Sequence, residues 1–580
     1  MIASPEPQTA DRVQPFQVEY DVPVAMRDGT ILRANVYRPQ AAGQYPVLVL
    51  RVGYELISTQ SAVAEWFANR GYVFVAQNCR GRFASEGEFR FGLDDGWGAN
   101  RDGYDTVEWA AVQPWSNGQV GTVGGSYAGF TQYLLGPTRP PHLKAQFVRQ
   151  GEANFHWALF PGGAFKLSLY ELVLRGLVLA PLMHPTAPAG SEKVRARLEA
   201  AYGDLQFWLR HLPLLDNPLS GVAEWYQDFL RHPDYGPFWM PLDPVAETHE
   251  YNTPAFHITG WYDLALHHAI GMFTGIQAAG LTAACREAQR LVIGPWNHGP
   301  APNGVWQRKV GELDFGPAAA EDGMNEQALR WFDYWLRDEP TGIMDGPTVR
   351  LFVMGANRWL DAPSWPPPGI EYRPMFFHEG PGRSATSLNQ GGLSFEAPAD
   401  AERPDSYAYD PMDPVPSIAL YTHQGPWDHQ QVEARMLTYT SAPLEQPLII
   451  AGPVKAILHA MSSAPDTDWV VRLCDVYPDG RSIPCCSGIL RARYRRSLER
   501  EELLTPDQVE RFEVDLVGTA QQFAAGHRVR VQVTSSDFPQ YDRNLNTGGP
   551  FAEEAHGQVA VNTIFHDALR ASHILLPVLP

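Results

Sequence analysis

The stretch GTVGGSYAGF, from Gly121 to Phe130, places one serine among four glycines at the junction of two different sequence patterns. The residues GQVGTV form a short apolar run typical of a strand, whereas YAGFTQYLLG has helical spacing. Ser126 therefore falls on a sharp strand-to-helix turn, where glycines relieve crowding by the strained backbone. A hydroxyl at this turn stands near the N–H groups of the helix N-terminus, which can stabilise an oxyanion.

Ser126 can be interpreted either as a catalytic nucleophile or as a helix cap. The usual nucleophile pattern is G-x-S-x-G, whereas this chain has Ala128 at the second glycine position and Gly129 one residue later. Serine is also a preferred N-cap residue. The short motif does not decide between these interpretations, so the decision depends on partner residues.

The chain around this turn has the pattern of a mostly parallel α/β sheet, because apolar runs alternate with helical stretches from Tyr20 to about Gly136. The runs YPVLVLRV and GYVFVAQ are apolar at nearly every position, as strands covered on both faces are. Between them, TQSAVAEWFANRG predicts a helix that ends at Gly71. The runs PAFHITG and QRLVIGP predict that the sheet resumes near Thr253.

Two further regions complete the predicted α/β organisation. Between the two parts of the sheet, KLSLYELVLRGLVLAPLM and SEKVRARLEAAYGDLQFWLRHL predict a helical cap over the carboxyl edge of the sheet, where ligands bind. After PSWPPPG, short runs separated by turn signals predict an antiparallel jelly-roll sandwich. We therefore predict an α/β core in two parts (1–149 and 248–352), a helical cap (150–247) and a jelly-roll β-sandwich (353–580).

Composition limits the partners of this 580-residue chain. Its formal charge of -20 argues against nucleic acid and anionic membranes, which attract basic patches. The five cysteines include no CxxC pair, so neither a disulfide framework nor a zinc site is expected. With no apparent signal or membrane-spanning segment, we expect a cytoplasmic protein with no membrane partner. A homo-oligomer is compatible with the sequence.

A catalytic serine needs a base and a carboxylate that orients the base. In α/β-hydrolases these residues follow the serine in the order acid then histidine, each after a strand. Asp263 follows PAFHITG and His298 follows QRLVIGP, so both positions fit. His267 and His268 compete for the role of base, but they lie in a helical stretch. Three other aspartates precede the serine and break the order: Asp95, Asp102 and Asp105.

These motifs resemble those of the cocaine esterase and X-Pro dipeptidyl-peptidase superfamily of serine hydrolases, which also contains α-amino acid ester hydrolases and β-lactam acylases. The resemblance covers nearly the whole chain through DGTILRANVYRP, CRGRFASEGEF, GGSYAGF, GWYD, GPWNHG, VRLFVMG, YDPMDPVPS and VTSSDFPQYDRNLNTGG. The form G-x-S-Y-x-G is characteristic of this group and accounts for the displaced glycine. The resemblance implies that the core is an α/β-hydrolase core and that it carries the same cap and jelly roll. No cofactor or metal is implied.

The resemblance also implies roles for individual residues. Ser126 would be the nucleophile, His298 the general base and Asp263 the acid that orients it. The hydroxyl of Tyr54 and the backbone N–H of Tyr127 would bind the oxyanion. A phenol suits this task because it donates one directed hydrogen bond and is neutral at pH 7. Without the resemblance, Tyr54 would be interpreted as an ordinary aromatic residue at a strand end.

Five residues close to the cap or the expected triad are candidates for the substrate pocket: Trp157, Trp261, Leu264, Ala265 and Trp296. In aminoacyl ester hydrolases of this superfamily, acidic residues follow the triad aspartate and bind the substrate ammonium. This chain has apolar residues there, which predicts a preference for uncharged acyl groups. Glu152 or Glu171 could supply the missing charge.

Two other motifs have alternative interpretations. CRGRFASEG contains Arg80, Arg82 and Ser85 but neither a Walker nor a Rossmann pattern, so bracing of active-site loops is favoured over phosphate binding. The segment Asp542 to Asn544 could be a sugar or calcium site, although a structural loop network is favoured because acidic ligands nearby are sparse.

Together these features predict a serine esterase that acts on small-molecule esters, and on amides as a second class, through an acyl-enzyme. Alternatives within the superfamily are an X-Pro dipeptidyl-peptidase and an α-amino acid ester hydrolase or β-lactam acylase. The alternative outside it is a non-catalytic binding protein with a degenerate hydrolase domain.

Overall fold

The computed structural model describes residues 14–299, 306–320, 323–420 and 424–580. A ten-stranded sheet in the order β1-β2-β4-β3-β5-β6-β7-β8-β11-β12 forms the core of the first part of the chain. The strands of this part are β1 (Phe16–Ala25), β2 (Ile31–Pro39), β3 (Tyr45–Val52), β4 (Val73–Asn78), β5 (Ser116–Gly125), β6 (Leu143–Arg149), β7 (Ala255–Tyr262), β8 (Arg290–Asn297), β9 (Lys309–Val310), β10 (Leu313–Asp314), β11 (Val349–Val353) and β12 (Arg358–Ala362). Strands β9 and β10 form a separate hairpin.

The centre of the ten-stranded sheet is parallel from β4 across to β11, whereas β1, β2 and β12 pair with antiparallel neighbours. The helices of the chain are α1 (Leu56–Ala68), α2 (Asp102–Ala111), α3 (Tyr127–Leu135), α4 (Phe155–Leu159), α5 (Leu169–Leu172), α6 (Ala180–Met183), α7 (Glu192–Gly203), α8 (Leu205–Arg210), α9 (Glu224–Arg231), α10 (Leu266–Ala279), α11 (Ala283–Glu287) and α12 (Met324–Arg337). A π-helical segment, Val173–Leu179, joins α5 to α6.

Strand β3 is covered on both faces, as its uniformly apolar sequence predicts. Val47 and Val49 pack in one apolar cluster with residues of α2, whereas Leu48 and Leu50 pack in another with residues of α1 and α12. Helix α1 ends close to Gly71, whose φ of 82° lies in the left-handed region that favours glycine. The α/β-hydrolase core is therefore layered as the sequence indicates.

The predicted helical insertion lies between β6 and β7 and contains α4 to α9. Its apolar side chains join the cluster that covers one face of the sheet, so the insertion packs on the core. Among the described residues, no helix is both long enough and apolar enough to cross a membrane.

The C-terminal part is β-rich and has its own apolar core around Trp469, Leu458 and Phe512. Its 13-stranded sheet contains β13 (Glu371–His378), β14 (Gly391–Ser394), β15 (Asp405–Tyr409), β16 (Leu437–Thr440), β17 (Leu448–Gly452), β18 (Lys455–Ser462), β19 (Asp468–Val476), β20 (Ser482–Arg491), β21 (Glu510–Asp515), β22 (Thr519–Phe523), β23 (Arg528–Thr534), β24 (Ala560–Phe565) and β25 (His573–Val578). Its jelly-roll topology stays a prediction.

The core sheet extends beyond position 352, where the sequence predicts the start of the C-terminal domain. Strand β12 pairs antiparallel with β11 as the last strand of the ten-stranded sheet. Met354, between these strands, forms a bridge with Gln521 of β22. The chain thus turns back to add one strand to the core before it enters the β-rich part, and the boundary at position 352 stays a prediction.

Candidate active site

Ser126 lies at the turn between β5 and α3, at the carboxyl edge of the sheet. Its φ of 56° and ψ of -126° are rare for a residue with a side chain, so the backbone is strained at this position. The Ser126 N–H donates to the carbonyl oxygens of Arg149 and Gln150 at 3.1 and 3.2 Å, and the Ser126 carbonyl accepts from Gly129 N–H at 2.7 Å. Hydrogen bonds from the end of β6 and the start of α3 thus hold the strained turn.

The displaced glycine of the motif has a steric cause. A Cβ atom on Gly129 would lie 2.5 Å from the Cα of Gly151, so the backbones of α3 and the residues after β6 are in close contact. Ala128 points instead toward Gly124, where an added Cβ would lie 2.6 Å from the Cβ of Ala128. Position 128 therefore accepts alanine only because position 124 is glycine, and position 129 needs glycine itself.

Ser126, His298 and Asp263 form a hydrogen-bonded line although they are distant in sequence. Ser126 Oγ lies 3.0 Å from His298 Nε2, and His298 Nδ1 lies 2.7 Å from Asp263 Oδ1. Asp263 is fixed by the Thr259 hydroxyl, which donates to Oδ2 at 2.9 Å, and by the Ala265 N–H, which donates to Oδ1 at 2.9 Å. Such a line can pass a proton from a hydroxyl to an imidazole and stabilise the resulting imidazolium.

The electrostatic surroundings of His298 favour its protonated form. Burial lowers the pKa of His298, but the charge and hydrogen bond of Asp263, together with the charge of Glu152, outweigh burial and raise it above its usual value. The imidazole is therefore a stronger base than an isolated histidine.

Arg149 and Gln150, at the end of β6, position the loop that carries His298. Arg149 donates to the carbonyl oxygen of Gly299 at 3.0 Å, and the Gln150 side chain donates to the carbonyl oxygen of Asn297 at 2.6 Å. These residues hold both the nucleophile turn and the histidine loop. Sequence reasoning missed them, although an Arg-Gln pair directly at the end of an apolar run was an available signal.

Tyr54 lies beside Ser126 and lines the same cavity. Its phenol forms a hydrogen bond with the Ser126 side chain, while burial and the charge of Glu152 raise the pKa of Tyr54. The Asn78 side chain donates to the Tyr54 carbonyl oxygen at 2.7 Å and fixes the backbone there. A phenol with a raised pKa stays protonated, so it can donate to an oxyanion.

Tyr127 places its backbone N–H in the first turn of α3, where N–H groups have no acceptor within the helix. Its ring meets the Tyr54 ring edge-on, with centroids 5.9 Å apart. The Tyr127 hydroxyl is buried and has no hydrogen-bond partner among the described residues. The backbone of Tyr127, rather than its phenol, is thus the group available to a bound oxyanion.

A cavity of about 50 Å³, the acyl cavity, opens from Ser126 beneath the helical insertion. Leu264 lines it, as the sequence predicts, together with apolar side chains of the insertion and the loop after β4. These include Phe91, Phe155, Leu159, Val173, Trp225 and Phe229. In the described lining, Glu152 supplies the one carboxyl group, and burial raises the pKa of Glu152.

The other four candidate pocket residues lie outside the acyl cavity. Trp157 and Trp261 line a second cavity, of about 150 Å³, which also contacts Leu264. Ala265 is buried, its N–H donates a hydrogen bond to Asp263 Oδ1, and it lines neither of the two cavities. Trp296 stacks on Trp306 with ring centroids 4.0 Å apart. Its indole donates to the carbonyl oxygen of Ala319 at 3.0 Å, so Trp296 is part of the packed core.

The residues that compete with the triad in the sequence lie elsewhere. His267 stacks on Trp157 with ring centroids 3.9 Å apart, and burial lowers the pKa of His267 to about 4. His268 is buried and accepts from the Asn154 N–H at 3.2 Å. Glu171 is exposed. The three competing aspartates pair with arginines in Asp95–Arg51, Asp102–Arg80 and Asp105–Arg27.

The motif CRGRFASEG braces the site, as predicted. Arg82 donates to the carbonyl oxygen of Gly53, next to Tyr54, at 2.8 Å and to that of Leu177 in the insertion at 2.6 Å. Arg80 bridges Asp28 and Asp102.

Comparisons with known proteins identify the family of this chain. Residues 28–300 match the sequence model of the X-Pro dipeptidyl-peptidase (S15 family), and residues 341–575 match that of the X-Pro dipeptidyl-peptidase C-terminal non-catalytic domain. The chain is 36% identical to cocaine esterase from Rhodococcus sp. (strain MB1 Bresler), over 97% of this chain and 99% of that protein. The chain belongs to the S15 family of serine hydrolases.

Solved structures share the fold of this S15-family chain. An α-amino acid ester hydrolase is 25% identical, with a TM-score of 0.79 and 100% of both chains covered. An aminopeptidase from a marine sediment archaeon, Thaumarchaeota archaeon, is 24% identical, with a TM-score of 0.80 and coverage of 100% of this chain and 99% of that one. In the described part of the chain, no group of three or more His, Cys, Asp or Glu side chains could hold a metal ion.

Proposed function

We propose that this chain hydrolyses carboxylic esters of small molecules through an acyl-enzyme on Ser126. The observation that carries the proposal is the line of short hydrogen bonds from Ser126 through His298 to Asp263. The similarity to cocaine esterase over nearly the full length of both proteins supports it.

In the proposed reaction, Ser126 Oγ attacks the ester carbonyl while His298 Nε2 takes the hydroxyl proton. Asp263 holds the Nδ1–H of His298 and stabilises the imidazolium. The Tyr54 hydroxyl and the Tyr127 N–H donate to the oxyanion. His298 then returns the proton to the leaving alcohol, and a water molecule hydrolyses the acyl-enzyme by the same steps.

A fluorophosphonate probe tests this proposal. It should label the wild-type chain at Ser126 and leave Ser126→Ala unlabelled, and that variant should lose turnover of aryl esters while keeping its folded circular-dichroism spectrum. Labelling at another residue, or none, would favour the alternative of a non-catalytic binding protein.

The acyl group is proposed to be uncharged and apolar, because aromatic and aliphatic side chains form most of the acyl cavity. A cation that enters such a cavity loses its hydration unless a carboxylate compensates for it. We expect phenylacetyl esters to exceed matched phenylglycyl esters in kcat/KM by about tenfold, which is about 1.4 kcal/mol.

Hydrolysis of α-aminoacyl esters is a second candidate function, and Glu152 is the observation that favours it. Its carboxyl group lines the acyl cavity beside Ser126 and could pair with a substrate ammonium. If the wild type prefers the phenylglycyl ester and Glu152→Gln abolishes that preference, hydrolysis of α-aminoacyl esters replaces the proposal of an uncharged acyl group. An X-Pro dipeptide anilide and a β-lactam in the same panel test the peptidase and acylase alternatives.

A further inference from the structure

The second cavity, of about 150 Å³, lies where the helical insertion, the ends of the core strands and the β-rich domain meet. Trp157 and Lys166 line it from the insertion, Trp261 from β7, and Asp537 and Tyr541 from the β-rich domain. Leu264 lines both this cavity and the acyl cavity, so the two cavities are neighbours at this side chain.

Lys166 is a buried cation without a direct ion-pair partner among the described residues. It is 5% exposed, and its backbone N–H donates to the carbonyl oxygen of Leu159 at 2.7 Å. No described carboxylate lies within 4.0 Å of its ammonium group, and Nζ lies 5.9 Å from the centroid of the Trp157 ring. Burial lowers the pKa of Lys166 to about 8, against the opposing charges of Glu152 and Asp263. An ammonium in this position is stabilised by any anion that enters the cavity.

The other charged groups of the described lining offer neither a free positive charge for an anion nor a direct counter-ion for Lys166. Arg472 already pairs with Asp537 at 2.9 Å. Burial lowers the pKa of His267 to about 4 and that of His429 to about 3, so both are neutral at pH 7. The Asp263 carboxylate already binds His298, the Thr259 hydroxyl and the Ala265 N–H. Lys166 thus has no direct ion-pair partner in the described lining, and the charges of Glu152 and Asp263 act on it only from a distance.

We propose that the second cavity is a leaving-group subsite in which Lys166 binds a carboxylate carried by the alcohol part of the ester. The inference rests on the proposed function, because it assumes an acyl group in the acyl cavity and a carbonyl at Ser126. The alcohol oxygen leaves as the ester C–O bond breaks and takes its proton from His298 Nε2. The body of the alcohol lies beyond Leu264, and its carboxylate reaches the ammonium of Lys166.

Matched esters test the subsite in the full chain. The substrates are 4-acetoxybenzoate and 4-acetoxybenzamide, which share an acyl group and differ in the charge of the leaving phenol. We expect the wild type to favour the carboxylate by about tenfold in kcat/KM, as a charge-assisted hydrogen bond in a buried site provides. Lys166→Met should bring the ratio close to one, whereas Lys166→Arg should retain most of it.

Lys144→Met is the matched control, because Lys144 donates to the carbonyl oxygen of Pro141 on the surface and does not line the cavity. It should leave the substrate ratio unchanged. A ratio that Lys166→Met does not alter, or a wild type without a carboxylate preference, would overturn the subsite.

A binding measurement separates failure of the subsite from failure of the proposed reaction. We expect calorimetry on the wild type and on Ser126→Ala to show tighter binding of 4-hydroxybenzoate than of 4-hydroxybenzamide, again by about tenfold. If neither ester is hydrolysed but this difference persists and Lys166→Met removes it, the subsite stands and the reaction is wrong. Equal binding of the two phenols contradicts the subsite whatever the turnover.

Discussion

Tyr54 and Tyr127 are neighbours at the site, but in the proposed reaction they offer different atoms to the oxyanion. Tyr54 offers its side-chain hydroxyl, whereas Tyr127 offers its backbone N–H and has a hydroxyl without a partner among the described residues. The same chemical change at the two positions should therefore have different results.

Tyr54→Phe removes one oxyanion donor and should lower kcat by about 100- to 1,000-fold with little change in KM. Tyr127→Phe keeps the backbone N–H, so its kcat should stay within about threefold of wild type. Steady-state kinetics on one aryl ester measures both. If Tyr54→Phe changes KM alone, Tyr54 binds substrate instead of the oxyanion.

The raised pKa of His298 predicts the pH dependence of the reaction. The base must be neutral to accept a proton, so kcat/KM should fall as the pH drops through the His298 pKa, with a midpoint above about 6.5. Glu152→Gln removes a charge that raises this pKa, so it should move the midpoint to lower pH. A profile that is flat from about pH 5 to 9 would contradict a histidine base.

At the scale of elements, the turn after β5 depends on the close approach of α3 to the backbone that follows β6. Gly129→Ala would place its Cβ 2.5 Å from Gly151, where only backbone shifts can relieve the clash. We expect a destabilisation of about 1 to 3 kcal/mol and a loss of activity as Ser126 moves. Thermal unfolding measures the first effect, and Ala128→Gly, which adds no atom, is the control. A Gly129→Ala variant with wild-type stability and activity would contradict the steric explanation.

Elements that depend on the local sequence pattern could be predicted from the sequence. Features that depend on contacts between residues far apart in the sequence could not. Strands β3 and β4 were predictable because central parallel strands are apolar on both faces, and Asp263 and His298 because their order after Ser126 is constrained. Strand β12 was missed because its pairing with β11 places it in the core although it follows the predicted boundary. Trp296 was misplaced because its partner Trp306 is selected by tertiary packing.

At the scale of the whole molecule, buried polar contacts join the β-rich domain to the rest. The Tyr262 hydroxyl of β7 donates to the carbonyl oxygen of Pro484 in β20 at 3.3 Å. Asp542 accepts from the Phe165 N–H of the insertion at 2.9 Å and from Arg491 at 2.8 Å. The segment Asp542 to Asn544 is thus a structural network, as favoured from the sequence.

Truncation tests whether the β-rich domain is separable. A fragment that ends at Ala362 keeps the whole ten-stranded sheet, unlike one cut at position 352, which loses β12. We still expect it to be insoluble or inactive, because Trp365, Ala451 and Ala520 belong to the apolar cluster that contains Trp261. Their loss would expose that cluster to water, and it would also remove the β-domain wall of the second cavity.

Solubility and fluorophosphonate labelling are the measurements, with co-expression of residues 363–580 as the control that should restore both. A soluble fragment that is labelled and turns over aryl esters at the wild-type rate would show that the β-rich domain is dispensable for the reaction.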